Sequence, residues 1–269
     1  QGLFNKTVDS DLLIPNRFGP SIKSDSEYLP VLEGGNGFLF DHRYATFGNG
    51  ELSKVEHGDK IKPNFEITTE YMMILSDYTD RLCRKKFERV GYWIAIRRVT
   101  LSSNERTVIA SALPEWPATY GWLIAKQPRG PEAALLLCNL GAMVFDWLMR
   151  IELSQPSIPL ETLYQLPMIP LDSYGKADLT FIVPRVLELS YTSHSMARFA
   201  RDLSYEGPPF AWDEDRRALL RAELDAWYAL AYGLTRDELR YVLDPKDVMG
   251  ADYPSETFRV LQNNEMKKY

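Results

Sequence analysis

Two runs rich in aromatic and β-branched residues, Tyr92–Val99 and Thr107–Leu113, stand on either side of a short polar break, Ser102-Ser103-Asn104-Glu105. This is the composition of two neighbouring strands joined by a turn. A chain carrying such a pair has to build a sheet there, and the remaining elements must cover it.

The charge changes around the same stretch. From Arg81 to Arg106 there are eight basic residues (Arg81, Arg84, Lys85, Lys86, Arg89, Arg97, Arg98, Arg106) against two acidic ones (Glu88, Glu105), although the whole chain is −6. Five of these cations belong to a predicted helix face, whose ordinary role is contact with solvent. Arg97 and Arg98 then follow on a strand, and Ser102, Ser103, Asn104 and Arg106 follow in its turn. Lys and Arg position a duplex through its phosphates, while Arg, Asn and Ser read base edges. The expectation is a surface that meets double-stranded DNA. A net charge of −6 is a poor start for a free-standing DNA binder, and a larger parent that encloses the duplex from another side removes that objection.

With 269 residues, 45% apolar and 25% charged, the chain has ample material for a core. The cysteines, Cys83 and Cys138, form no metal-ligand pattern, and their scarcity fits a reducing compartment, so a cytoplasmic location is expected. No signal peptide is visible. The longest apolar run, Ala133–Met149, contains Asn139 and Asp146 and reads as a buried helix rather than a membrane span. The chain starts without Met and stops at Lys267-Lys268-Tyr269 inside helix-like text, which reads as a piece of a longer polypeptide.

Taken in order, residues 1–30 read as a connecting segment. Phe38–Phe40 and Tyr44–Phe47 read as strands, and Asn49-Gly50 as a hairpin turn returning through Glu51–Glu56. Glu66–Leu75 reads as extended, followed by a helix capped by Ser76 or Asp77 and reaching about Arg89. Trp122–Ala125 gives another strand. Gly130-Pro131 opens one helix running to about Glu152, and Pro156–Pro170 is loop with one helical turn. Helices then fill the rest: Pro184 to about Tyr205, one capped by Asp213, one opened by the Thr235/Glu238 capping box, and one from Pro254 to the end. The expected class is α+β: a β-rich part over residues 1–180 and a helical extension over 181–269.

Recognisable catalytic devices are missing. There is no Gly-x-Gly-x-x-Gly, no Gly-Lys-Ser/Thr loop, no Asn-Pro dipeptide and no Gly-x-Ser-x-Gly. No Glu-x-Lys or Asp-x-Lys falls on a strand where a nuclease would hold its metal. The three histidines are isolated, and no metal site is expected. Asp41-His42-Arg43, placed on a strand, puts Asp41 and Arg43 on one face; it reads either as a structural pair beside a packed histidine or as a site where Arg43 meets phosphate.

Several blocks resemble a known family: Asp41–Thr46, Asn104–Ala110, Val144–Leu148, Gln165–Pro167, Pro208–Asp213 and Tyr232–Tyr241. In this order they are similar to the region after the catalytic domain in large adenine-specific DNA methyltransferases of type IIG restriction-modification and related phage-defence systems. The first half is similar to their TaqI-like C-terminal specificity domain. The resemblance implies a target-recognition module that reads DNA while an N-terminal methyltransferase domain of the parent carries S-adenosylmethionine and takes up the flipped adenine. No cofactor and no activity are then expected in this chain. Gly35-Asn36-Gly37 and Ile151–Pro159 depart from the family's pattern, which has a lysine in both places.

Expected phosphate contacts are Arg43, Arg81, Arg84, Lys85, Lys86, Arg89, Arg97 and Arg98. Base contacts are expected in Ser102–Arg106 and in the loops Glu115–Gly121 and Ser154–Pro159. The alternative is an assembly module whose acidic tail docks the catalytic domain or a partner subunit; residues 181–269 hold 12 basic and 15 acidic side chains, a net of −3. Basic residues gathered on one face favour DNA, and basic residues paired with carboxylates favour assembly.

Overall fold

Tyr92–Arg97 is a strand covered on both faces: Tyr92, Ile94 and Ile96 enter one apolar core, Trp93 and Ala95 another. A strand buried on both sides has to be apolar throughout, which is why it dominates the sequence. The computed structural model describes residues 3–16, 27–126 and 128–250. In chain order these give β1 (Ile14–Pro15), β2 (Tyr28–Pro30), β3 (Ala45–Gly48), β4 (Glu51–Lys54), the single turn α1 (His57–Lys60), β5 (Tyr71–Ile74), α2 (Leu75–Lys85), β6 (Tyr92–Arg97), β7 (Ala110–Pro114) and β8 (Trp122–Ile124). There follow α3 (Gly130–Gly141), α4 (Met143–Glu152), α5 (Leu160–Gln165), α6 (Lys176–Ser190), α7 (Ala197–Asp202), α8 (Glu214–Ala231), α9 (Arg236–Leu243) and α10 (Pro245–Met249).

The class is α+β. The main sheet has the order β7-β6-β8, all antiparallel, with Trp93 opposite Leu113 and Ile96 opposite Leu123. Helices α3, α4, α6, α7 and α8 contribute to the core on one face. Residues 3–4, 31–32 and α2 cover the other. A second sheet, β1-β5-β2, and the ribbon β3–β4 complete the strands among the described residues. In the ribbon Asn49 (φ 53) and Gly50 (φ 84) turn the chain as the dipeptide predicts, pairing Gly48 with Glu51.

Several expectations are corrected. The Gly130–Glu152 pattern is two helices bent by 55°. Ala142 is extended (φ −68, ψ 142), and Asp225 of α8 accepts a hydrogen bond from Met143 N at 2.7 Å. The cap of α4 thus comes from 82 residues away, where local spacing cannot reveal it. Among the described residues no single helix is long and apolar enough to cross a membrane.

Helix α2 starts at Leu75 without a side-chain cap. It stops at Lys85 rather than near Arg89, because Lys86 is left-handed (φ 56) and Phe87 N returns to Leu82 O at 2.9 Å. Pro184 lies inside α6 instead of opening a helix, and α6 and α7 are separate. Phe38–Arg43 is a turn, not a strand: Phe38 and Asp41 exchange backbone hydrogen bonds (2.8 and 2.9 Å) around Phe40 at φ 54.

Other expectations hold. Asp213 accepts from Arg216 N at 2.9 Å, and Thr235 and Glu238 close their capping box. Residue 180, the expected boundary, lies within α6, and helices from both sides of it share one core. The helix expected from Pro254 lies outside the described residues.

Candidate nucleic-acid interface

The end of β6 brings Arg97 and Arg98 to the surface, where Gly121 O accepts from Arg98 N at 2.8 Å and fixes the neighbouring loop. That loop carries Tyr120, 46% exposed, with the Arg98 guanidinium 3.8 Å above its ring. A planar guanidinium stacked on an aromatic face keeps its N–H donors at the edge, free to meet an anion. Two clefts meet at Tyr120. One, of about 430 Å³, is lined by Arg81, Lys85 and Arg98. The other, about 680 Å³, is lined by Arg97 and Lys6 and by three carboxylates, Glu33, Glu51 and Glu70, two of which pair with Lys6.

Burial, then the nearby Arg81, lowers the pKa of Lys85, with Asp9 opposing. Burial likewise lowers that of Arg97. Both therefore carry charge that water only partly screens. Arg84 and Lys86 are exposed at the end of α2. Arg81 pairs with Asp9, and Arg89 Nε donates to Glu115 Oε1 at 2.5 Å.

Two expected contacts are withdrawn. Arg43 is fully buried, with its guanidinium donating to the carbonyls of Lys60, Lys62, Phe65 and Thr192 at 2.9–3.0 Å. It has no exposed atom for a phosphate. Arg106 is 8% exposed and donates to Asp225 Oδ2 at 3.1 Å. In both cases burial has turned a candidate ligand-binding cation into a cross-link between distant segments.

Around the same turn, Asp41 pairs with Lys60 at 2.5 Å rather than with the Arg43 guanidinium. His42 Nε2 lies 2.8 Å from Ser193 Oγ. Burial, with Arg43, Lys60 and Arg217 adding to it, holds the His42 pKa well below its usual value. His57 and His194 are exposed.

The loop carrying Ser102, Ser103 and Asn104 is held from behind. Arg150 of α4 donates to Ser102 O (2.5 Å), Asn104 O (3.0 Å) and Glu105 O (3.3 Å). Its partner Asp146, 2.9 Å away, accepts from the amides of Thr107 (2.8 Å) and Val108 (2.6 Å). Ser102 and Ser103 are exposed, whereas Asn104 is half-buried and donates to Thr100 Oγ1 at 3.2 Å. The loop therefore presents two hydroxyls on a fixed backbone.

Sequence reasoning marked the Glu115–Gly121 loop but not Tyr120, the residue on which Arg98 stacks. Its signal was an aromatic side chain beside Gly121, in a loop that follows a cluster of cations. Arg150 and Asp146 were also missed; their four-residue spacing on a predicted helix was the available sign. Among the described residues no three His, Cys, Asp or Glu side chains gather as a metal site. Comparison with family models, curated proteins and solved structures finds no match.

Proposed function

We propose that this chain is the DNA target-recognition module of an adenine-specific methyltransferase, with its duplex-facing surface centred on Arg97, Arg98 and Tyr120. The observation that carries the reading is the Arg98–Tyr120 stack at 3.8 Å, beside a cleft that Arg81 and Lys85 also line. Arg84, Lys85 and Lys86 extend the surface along the end of α2 and supply phosphate contacts. Ser102 and Ser103 are the candidate base readers. S-adenosylmethionine and the flipped adenine belong to a methyltransferase domain outside this chain, as the family resemblance implies. A cytoplasmic location follows from the same reading.

Fluorescence anisotropy of labelled duplexes over a salt series tests it. Three or four phosphate contacts give a slope of log K against log salt of about −3. Affinity that does not change with salt, and that survives replacement of both Arg97 and Arg98 by Gln, rejects the reading.

The assembly reading is favoured by a separate observation. Arg81–Asp9, Arg89–Glu115 and Arg106–Asp225 are internal ion pairs, so part of the basic run is already neutralised. Under that reading the anisotropy titration shows no salt-dependent binding, and the chain instead forms a stable complex with the parent's methyltransferase domain in size-exclusion chromatography.

A further inference from the structure

A cavity of about 430 Å³ opens beside β8, the short edge strand of the main sheet. The cover is thinner there, because α3 packs chiefly against β6 and β7, and the six-residue α5 with Met168 after it closes the β8 side. Ile94, Ile96 and Leu123, each no more than 4% exposed, form the floor. Leu136 of α3, Leu163 of α5 and Met168, all half-buried, form the rim. Two lysines line the cavity, Lys85 at the end of α2 and Lys126 just past β8, and among the described residues no Asp or Glu does. Asp9 offsets part of the Lys85 charge. Lys126 is exposed and makes no hydrogen bond or ion pair with any described residue. The mouth is therefore positive, on a chain whose net charge is −6.

We propose that this cavity binds an aliphatic chain of medium length ending in a single anionic head, with the chain lying on Ile94, Ile96 and Leu123 and the head meeting Lys126 and Lys85. Apolar walls with a few polar groups, enclosing a few hundred cubic ångströms, are the usual make-up of a small-ligand site. Water inside such walls rests against hydrocarbon, and an aliphatic chain displaces it favourably. The sign of the head follows from the lining. A cationic head would meet two ammonium groups with no carboxylate lining the cavity beside them, and a neutral head would gain nothing from their charge. Lys126 stays in contact with water, so it keeps its charge at little desolvation cost and lies within reach of a ligand. The cavity shares only Lys85 and Leu160 with the cleft at Tyr120, so its occupancy does not depend on the nucleic-acid reading.

Isothermal titration of the full chain with sodium octanoate, 1-octanol and octylamine tests it. Octanoate is expected to bind at one saturable site, about fivefold tighter than octanol, which is the gain from a partly exposed ion pair. Octylamine should bind more weakly than octanol. Lys126→Glu, at an exposed position that carries none of the core, should bring octanoate to the affinity of octanol or below it and leave octanol unchanged. Leu163→Trp, which fills the cavity from α5, should abolish binding of both. Equal affinity for octanoate and octanol overturns the proposal, as does the absence of saturable binding. Octanoate affinity that is undiminished in Lys126→Glu, or retained in a folded Leu163→Trp, overturns it too. Should Leu163→Trp fail to fold, Lys126→Glu decides alone.

Discussion

Around Arg43, Arg150 and Arg217 the guanidinium groups turn inward onto backbone carbonyls, whereas Arg98 stays half-exposed against the ring of Tyr120. In the inner region each arginine gathers segments far apart in sequence. Arg43 joins residues 60–65 to Thr192, and Arg217 joins Leu189 O (2.7 Å) to Phe40 O (3.1 Å). Irregular backbone that crosses a core has carbonyls no ladder can satisfy, and a five-donor fork serves several at once. Arg150 is balanced by Asp146, but Arg43 and Arg217 donate to neutral carbonyls, and burial pulls the Arg217 pKa down to about 10. In the outer region Arg98 rests on a ring and keeps its donors available. Arg217 also lies over a ring, Trp212, at 3.7 Å, so what separates the two regions is burial onto backbone carbonyls and not contact with an aromatic face.

Substitutions break this contrast in a definite order. Arg43→Met leaves four backbone carbonyls, two of them buried, without their donor and should cost about 3 kcal/mol in urea denaturation. Loss below about 1 kcal/mol would show that water replaces the arginine. Asp146→Ala frees the Thr107 and Val108 amides and strands Arg150, for about 2–3 kcal/mol. Hydrogen exchange should rise first in residues 100–108.

The pH dependence is smaller. Burial holds the His42 pKa below its usual value, so the unfolded chain takes up a proton that the folded chain refuses. Stability is then complete above the unfolded pKa of about 6.5 and falls as pH drops from there towards 5, by at most about 1.4 kcal/mol per pH unit. Urea midpoints of His42→Asn should lose the part of this fall that His42 contributes.

At the outer region Arg98→Ala should change stability by no more than about 0.5 kcal/mol. It should weaken every duplex alike and flatten the salt slope by about one. Full binding with an unchanged slope would remove Arg98 from the interface.

Part of this arrangement was legible in the sequence. The doubly apolar run Tyr92–Val99, the Asn49-Gly50 turn and the Asp213 and Thr235 caps are local signals, and each produces its element. The polar break after Thr100 correctly separated β6 from β7, although the connection runs from 98 to 109. The candidate surface was legible as a run of cations and no further. Whether a cation points outward depends on which carbonyls and carboxylates the fold brings to it, and Asp9, Glu115 and Asp225 lie far from their partners in the chain.

Sequence alone determined the central strand, the Asn49-Gly50 turn and the starts of α8 and α9, because an apolar run, turn chemistry and caps act over a few residues. Tertiary structure decided which arginines became cross-links, where α3 breaks from α4, and that Tyr120 stands under Arg98. Those outcomes depend on unsatisfied backbone groups finding partners across the core, and no window of sequence contains both members of such a pair.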